Sequence, residues 1–232
     1  MICFIPCCGS KQATGKIFEP VQSLGKTDLP GTWDNLTAGR GGMDYCLEHV
    51  SRKTTALCLY TGSPYQVFAQ NNDEISGLIR AGRLRLFIIS AGYGVLGALE
   101  PALNYDAVLQ GKVAAHWKQN RLAEVIADLL VQSKPARVYG FFAGRTDWST
   151  PGSKYRYFFT EGVKSAIRRG LRAEAGCFYR MQGQGVKAIL GGLGRTFTEF
   201  MDAGFDSKYA GAVASDGRQD GNVKISFEYI KG

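Results

Sequence analysis

Three stretches of this chain combine glycine, charge and aromatic rings as a ligand site would. Cys7-Cys8-Gly9-Ser10-Lys11 offers backbone N–H groups and one cation. That suits a phosphate or the edge of a base, and a tight strand-to-loop turn would use the same residues. Ser90-Ala91-Gly92-Tyr93-Gly94 sets an aromatic between glycines, so Tyr93 can stand out of the loop and stack on a planar ligand; Tyr105-Asp106 follows. Asp106 reads either as a functional carboxylate beside a ring or as a turn or N-cap acid. Gly144-Arg145-Thr146-Asp147-Trp148 places a cation, a carboxylate and a ring together. A surface Arg–Asp pair, worth about 0–1 kcal/mol, is the plainer reading of it. Lys154-Tyr155-Arg156-Tyr157 then alternates cations with rings, and Lys164, Arg168, Arg169 and Arg172 continue largely on one helical face. Cations suit phosphates and rings suit exposed bases; an amphipathic helix start with inward rings has the same pattern.

These stretches need elements to hold them. Four short apolar runs, at 2–5, 56–60, 84–89 and 138–142, each stop at a turn containing glycine or proline. They are too short for helices and too continuously apolar for one-sided sheets, so they predict interior strands of a parallel sheet. Helical patterns lie between them: a Leu/Ile/Val stripe within 113–133 stopped by Pro135, and weaker ones at 43–51, 65–81, 158–172 and 196–203. Alternation of strand and helix predicts an α/β fold with a mainly parallel sheet. Residues 223–229 alternate apolar and polar, which predicts a half-buried strand at an edge or in antiparallel pairing. The stretches 12–42 and 182–195 read as irregular, the first long enough to pass over a site. In an open parallel sheet, ligands sit beyond the carboxyl ends of the strands, so the four loops should meet at one mouth. No linker or repeat divides the 232 residues, and one domain is expected.

The charge is unevenly placed. Residues 1–110 hold nine Lys/Arg and nine Asp/Glu, whereas 134–187 hold eleven against three, an excess equal to the whole formal charge of +8. Such a local field favours a polyanion, nucleic acid first; a solvated basic helix is the alternative. The six cysteines form no CxxC pair, and His49 and His116 lie far apart, so no metal site is expected; His116, beside Trp117, reads as structural. No run approaches the roughly 20 apolar residues of a membrane helix. The start of the chain lacks the basic, apolar pattern of a signal peptide, so a cytoplasmic protein with reduced thiols is the expectation. Walker, GxSxG, HExxH and dinucleotide fingerprints do not occur in a suitable context.

Pro-Cys-Cys-Gly-Ser-Lys after a strand, Leu59-Tyr60-Thr61-Gly62-Ser63, Ile89-Ser90-Ala91-Gly92-Tyr93-Gly94-Val95-Leu96 and Tyr105-Asp106 together resemble a family of bacterial and phage proteins. That family is similar to the peroxide-stress protein family and, more distantly, to the uracil-DNA glycosylase-like superfamily. The likeness covers about residues 1–110. It implies a three-layer α/β sandwich and cleavage of an N-glycosidic bond, in some relatives on modified phage DNA such as glucosylated hydroxymethylcytosine. The water-activating and His-bearing motifs of the uracil enzymes are missing.

The chemistry implied by that resemblance has defined needs. Breaking a nucleoside C1′–N bond builds positive charge on the sugar, which a carboxylate stabilises while orienting or deprotonating water. The base must leave the stack and be held by a ring and hydrogen-bonding groups. On this reading Asp106 is the first choice of carboxylate and Asp147 the second, with Lys11 or Arg145 stabilising the departing base. Cys8, Gly9, Ser90, Tyr93 and Tyr105 join Arg145 around the base. Lys154, Arg156, Lys164, Arg168, Arg169 and Arg172 hold the DNA phosphates. No cofactor is called for, and a monomer acting on DNA is expected. A non-enzymatic DNA-binding stress protein and a nucleoside or base-exchange enzyme remain the alternatives.

Overall fold

The computed structural model describes residues 1–17, 23–144 and 153–232. The chain opens with β1 (Ile2–Pro6), then α1 (Trp33–Gly42), β2 (Thr54–Thr55), α2 (Ala56–Leu59), α3 (Ser63–Gln70) and α4 (Asn72–Arg80). It continues through β3 (Arg85–Ser90), β4 (Gly94–Gly97), β5 (Pro101–Ala102), α5 (Gly111–Gln119) and α6 (Leu122–Ser133). The last third holds β6 (Arg137–Phe141), α7 (Ser153–Arg168), β7 (Glu174–Gln182), α8 (Val186–Asp202), α9 (Ser207–Asp216), β8 (Arg218–Asp220) and β9 (Val223–Tyr229).

A seven-stranded sheet runs in the order β4-β3-β1-β6-β7-β9-β8. Its four central strands are parallel, while β4, β9 and β8 pair antiparallel at the two margins. The expected strands at 2–5, 84–89 and 138–142 form as β1, β3 and β6, because side chains buried on both faces require cover from both sides. Helices supply that cover. On one side α6 packs on α7 and on α1; on the other α3 packs on α8. The chain is therefore α/β with a layer of helices on either side of the sheet.

Four expectations change. Residues 56–60 are not a strand of the main sheet: Ala56–Leu59 is one helical turn that follows the small β2–β5 ladder. The stretch 12–42 contains a helix, α1, and 182–195 runs into α8. Glycines hid both. Gly39 lies against the Trp117 ring, and Gly194 against Pro64. They are there for close helix packing, which costs local helix propensity and masks the pattern. The pattern at 43–51 yields only a short 3₁₀ turn at Asp44–Cys46.

Strand order fixes where a ligand would lie. From β1 the chain builds outward to β3, then returns across β1 to place β6 on its other flank. This reversal makes the carboxyl end of β1 a topological switch point, where the flanking loops diverge and leave a crevice.

Candidate functional site

The tips of β1 and β3 are tied together at that end: the Cys7 N–H donates to Ile89 O at 2.9 Å. The turn after β1 then runs beside the segment that follows α2. Lys11 bridges Tyr60, the Gln12 N–H donates to Leu59 O, and the Thr61 N–H donates to Ser10 O. Tyr60 thus reaches the mouth although its segment is not a strand of the main sheet.

Beneath the mouth lies a ring of three hydroxyls. Tyr60 donates to Ser90 Oγ at 3.2 Å, and Tyr105 Oη lies 3.1 Å from Tyr60 Oη and 3.0 Å from Ser90 Oγ. Each hydroxyl has one proton. Since Tyr60 gives its own to Ser90, Tyr105 must donate to Tyr60 and Ser90 to Tyr105, so the protons run one way round. The Tyr93 N–H also donates to Ser90 Oγ, filling its second lone pair. All three side chains are buried, and burial pushes both tyrosine phenols well above their ordinary value. Nearby, Cys7 Sγ lies 3.1 Å from Tyr155 Oη, and Tyr65 donates to Pro6 O at 2.8 Å.

Lys11 sits above this ring, and Asp106 follows Tyr105 in the chain. The Lys11 ammonium lies 4.2 Å over the Tyr105 ring and donates to Gly9 O at 3.2 Å. Asp106, the next residue after Tyr105, is exposed and its N–H donates to Cys46 O at 3.0 Å. Burial pushes the Cys46 thiol up. Above Gly9 the space is open.

The other expected base-binding residues behave differently. Cys8 is half-buried and ties loops: it donates to Ser10 O at 3.0 Å and accepts from the Gly62 N–H at 3.2 Å. Burial holds its thiol protonated. Tyr93 does not stand free. Its hydroxyl accepts from the Leu103 N–H at 2.9 Å, its ring meets Tyr105 edge-on, and Arg40 donates to its carbonyl at 3.2 Å. Arg40 also donates to Val95 O and pairs with Glu100, clamping the β3–β4 hairpin. Tyr105 is buried, with Gly92 against its ring and Lys11 above, so it offers no open stacking face, while Tyr93 is half-buried and pinned through its hydroxyl and carbonyl. Arg145 and Asp147 lie outside the described residues.

The cationic run is divided. Lys154 and Arg156, at the start of α7, are only 7% and 4% exposed. Arg156 pairs with Glu228, donates to Gly144 O at 3.0 Å and covers the Tyr179 ring at 4.2 Å. It joins α7 to β7 and β9 and is not presented to a phosphate. The rings of this stretch pack inward, as the plainer reading had it. Lys164 pairs with Glu161 at 3.4 Å. Arg169 pairs with Asp128 at 2.8 Å and is exposed, as are Arg168 and Arg172. These three lie at and beyond the far end of a 16-residue helix, about 24 Å from its start, beside the amino ends of the strands. They are remote from the mouth because α7 leaves the carboxyl end of β6 and returns to the start of β7.

Sequence reasoning missed Tyr60, Tyr65, Tyr155, Cys7 and Arg40. Tyr60 and Tyr65 sat in stretches read as core strand and helix, Cys7 and Tyr155 entered only as members of a ligand loop and of a cation-and-ring run with no role of their own, and nothing local to Arg40 pointed at the hairpin it clamps. Among the described residues no group of three or more metal-ligating side chains occurs, and no helix is long and apolar enough to cross a membrane. Comparison of the chain with family models, curated proteins and solved structures gave no match.

Proposed function

We propose that this mouth cleaves an N-glycosidic bond, with Asp106 beside the sugar C1′ and Lys11 facing the departing base. On DNA bearing a modified base the product would be an abasic site, as in a glycosylase of the uracil-DNA glycosylase-like class. The observation that carries the reading is that the Lys11 ammonium lies over the ring of the buried Tyr105, the chain neighbour of Asp106, at the switch point of the sheet. A carboxylate and an ammonium so placed can face the two charges that separate as the bond breaks. Water supplies the oxygen that adds to C1′; the bonding pair leaves with the base nitrogen, and the water proton passes to Asp106 or solvent. The hydroxyl ring acts on Asp106 indirectly, by fixing Tyr105.

One observation favours a second reading, a nucleoside-processing enzyme acting on free nucleotides. Arg156 is buried, and Arg168, Arg169 and Arg172 lie at the opposite end of the sheet, so these four arginines do not line the mouth. A single assay separates the two. Duplexes with plain and with modified cytosine, and free nucleosides, are incubated with the protein; base release is scored directly, and strands are tested for alkali-sensitive breaks. Breaks confined to modified DNA support the glycosylase. Release from free nucleosides alone supports the second reading. Asp106→Asn should lower either activity by roughly 100-fold or more, the usual range for loss of a positioned acid–base group. Unchanged turnover would remove Asp106 from the chemistry.

A further inference from the structure

Between Glu174 and Glu199 the chain has no acidic residue, while Arg180, Lys187 and Arg195 lie within that span. Arg195 is taken by Asp220 at 2.8 Å. Strand register places Arg180. Phe4 pairs with Gly140 and Gly140 with Cys177, so three residues further on Arg180 stands level with Cys7, at the start of the turn that carries Lys11. Two strand spacings separate them, about 10 Å. β7 runs on past Phe178, the partner of the last residue of β6, and so delivers its end beside the mouth. α8 starts from that same end, which puts Lys187 there in its first turn.

Residues 180–187 form an exposed but fixed turn. Arg180, Met181, Gln182, Gln184, Val186 and Lys187 are all exposed, Met181 by 53% and Val186 by 72%. Gly183 holds a φ of +109°, and a Cβ on it would meet Asn222 O at 2.5 Å. Asn222 Nδ2 donates to Gln184 O at 3.4 Å, tying the turn to the start of β9. Arg180 donates to Gly183 O at 3.5 Å, a long bond that uses one of the five N–H groups of a guanidinium. Unlike Arg156 and Arg168, Arg180 and Lys187 thus combine exposure with nearness to the mouth. Cations suit phosphates, glutamine amides donate to phosphates or base edges, and exposed Met and Val pack on sugars and base faces.

We propose that residues 180–187 are a nucleic-acid contact, with Arg180 and Lys187 on the phosphates of a strand whose target nucleotide lies in the mouth, and Met181 against its sugars and bases. The partner class rests on the nucleotide reading above; the surface adds that the substrate is a polymer. The test is fluorescence anisotropy of the intact chain with labelled single-stranded and duplex oligonucleotides over a range of salt. Arg180→Glu with Lys187→Glu should weaken DNA binding roughly tenfold or more, the worth of a charge-assisted hydrogen bond. It should also flatten the log–log salt slope on duplex by about 1.8, or about 0.9 for each phosphate released. Both side chains are exposed, so the melting temperature should not change. Arg168→Glu with Arg172→Glu, at the opposite end of the sheet, should bind DNA as wild type at about 0.15 M salt, where charges beyond about 8 Å are screened. Vesicles of equal parts phosphatidylglycerol and phosphatidylcholine supply a competing anionic surface. Wild-type DNA affinity in the Arg180 and Lys187 variant, an equal loss in the Arg168 and Arg172 variant, or a loss of vesicle binding with DNA binding unchanged would overturn the proposal. Base release from modified DNA that does not depend on Arg180 and Lys187 would sink this inference alone. DNA binding that depends on them, without base release, would sink the catalytic reading alone.

Discussion

At the scale of single residues, the site depends on groups that touch no ligand. Gly92 shows why. A methyl built there falls 2.8 Å from Tyr105 Cγ, and the Tyr105 ring cannot easily give way because its hydroxyl is held by Tyr60 and Ser90. Gly92→Ala should therefore destabilise the fold by about 1–3 kcal/mol, the usual cost of overpacking. A urea titration reads this as a lower midpoint at unchanged slope, and a wild-type midpoint would mean the ring is free to move. The sequence marked Gly92, Tyr93 and Tyr105 together, but as a flexible mount for a stacking ring. The close packing that reverses that role involves Tyr60 and Leu103, whose contacts with them no local pattern announces.

At the scale of elements, α7 is the instructive case. The sequence lets its alternating cations and rings either extend the basic face of Lys164, Arg168, Arg169 and Arg172 or pack inward, and burial splits them: Arg156 is enclosed by Glu228, Gly144 and Tyr179, and Arg168 is exposed at the far end. The two positions should answer the same change in opposite ways. Arg156→Glu sets a second carboxylate beside Glu228 in a buried place and should cost about 3–5 kcal/mol, as broken buried pairs do. Arg168→Glu should stay within about 0.5 kcal/mol of wild type. Thermal melting of the pair checks this; matching melting temperatures would contradict the burial of Arg156. The helical periodicity was legible because it depends on spacing alone. Which cation faces inward was not, because that depends on β7 and β9, which close over α7 from more distant sequence.

At the scale of the whole molecule, acid stability should report on the margin of the sheet away from the mouth. There Arg218 hydrogen-bonds Glu199 and holds its carboxyl below the usual value. A depressed folded-state value means that the pair stabilises the fold above the ordinary carboxylate range, and that this contribution fades as pH falls through the lower, folded-state value. Glu199→Gln should thus lower the denaturation midpoint at pH 7, with a gap to wild type that narrows as pH falls below the ordinary carboxylate range. Denaturant titrations at pH 7 and at a series of acidic pH values test it, and a constant gap between the two proteins would show that the charge is not the cause.

The amino-acid order by itself determined the apolar runs, and with them the α/β class, the interior strands β1, β3 and β6, the alternating β9, and the loops worth watching. Those follow from burial and periodicity, which act over a few neighbouring residues. Only the tertiary structure decided that Lys11 comes to lie over Tyr105, that Tyr60 arrives there from a helical turn, and that the described arginines of 156–172 divide between the core and the opposite end. These are matters of strand order and helix direction. They are set by which distant segments bury one another, and no local spacing encodes that.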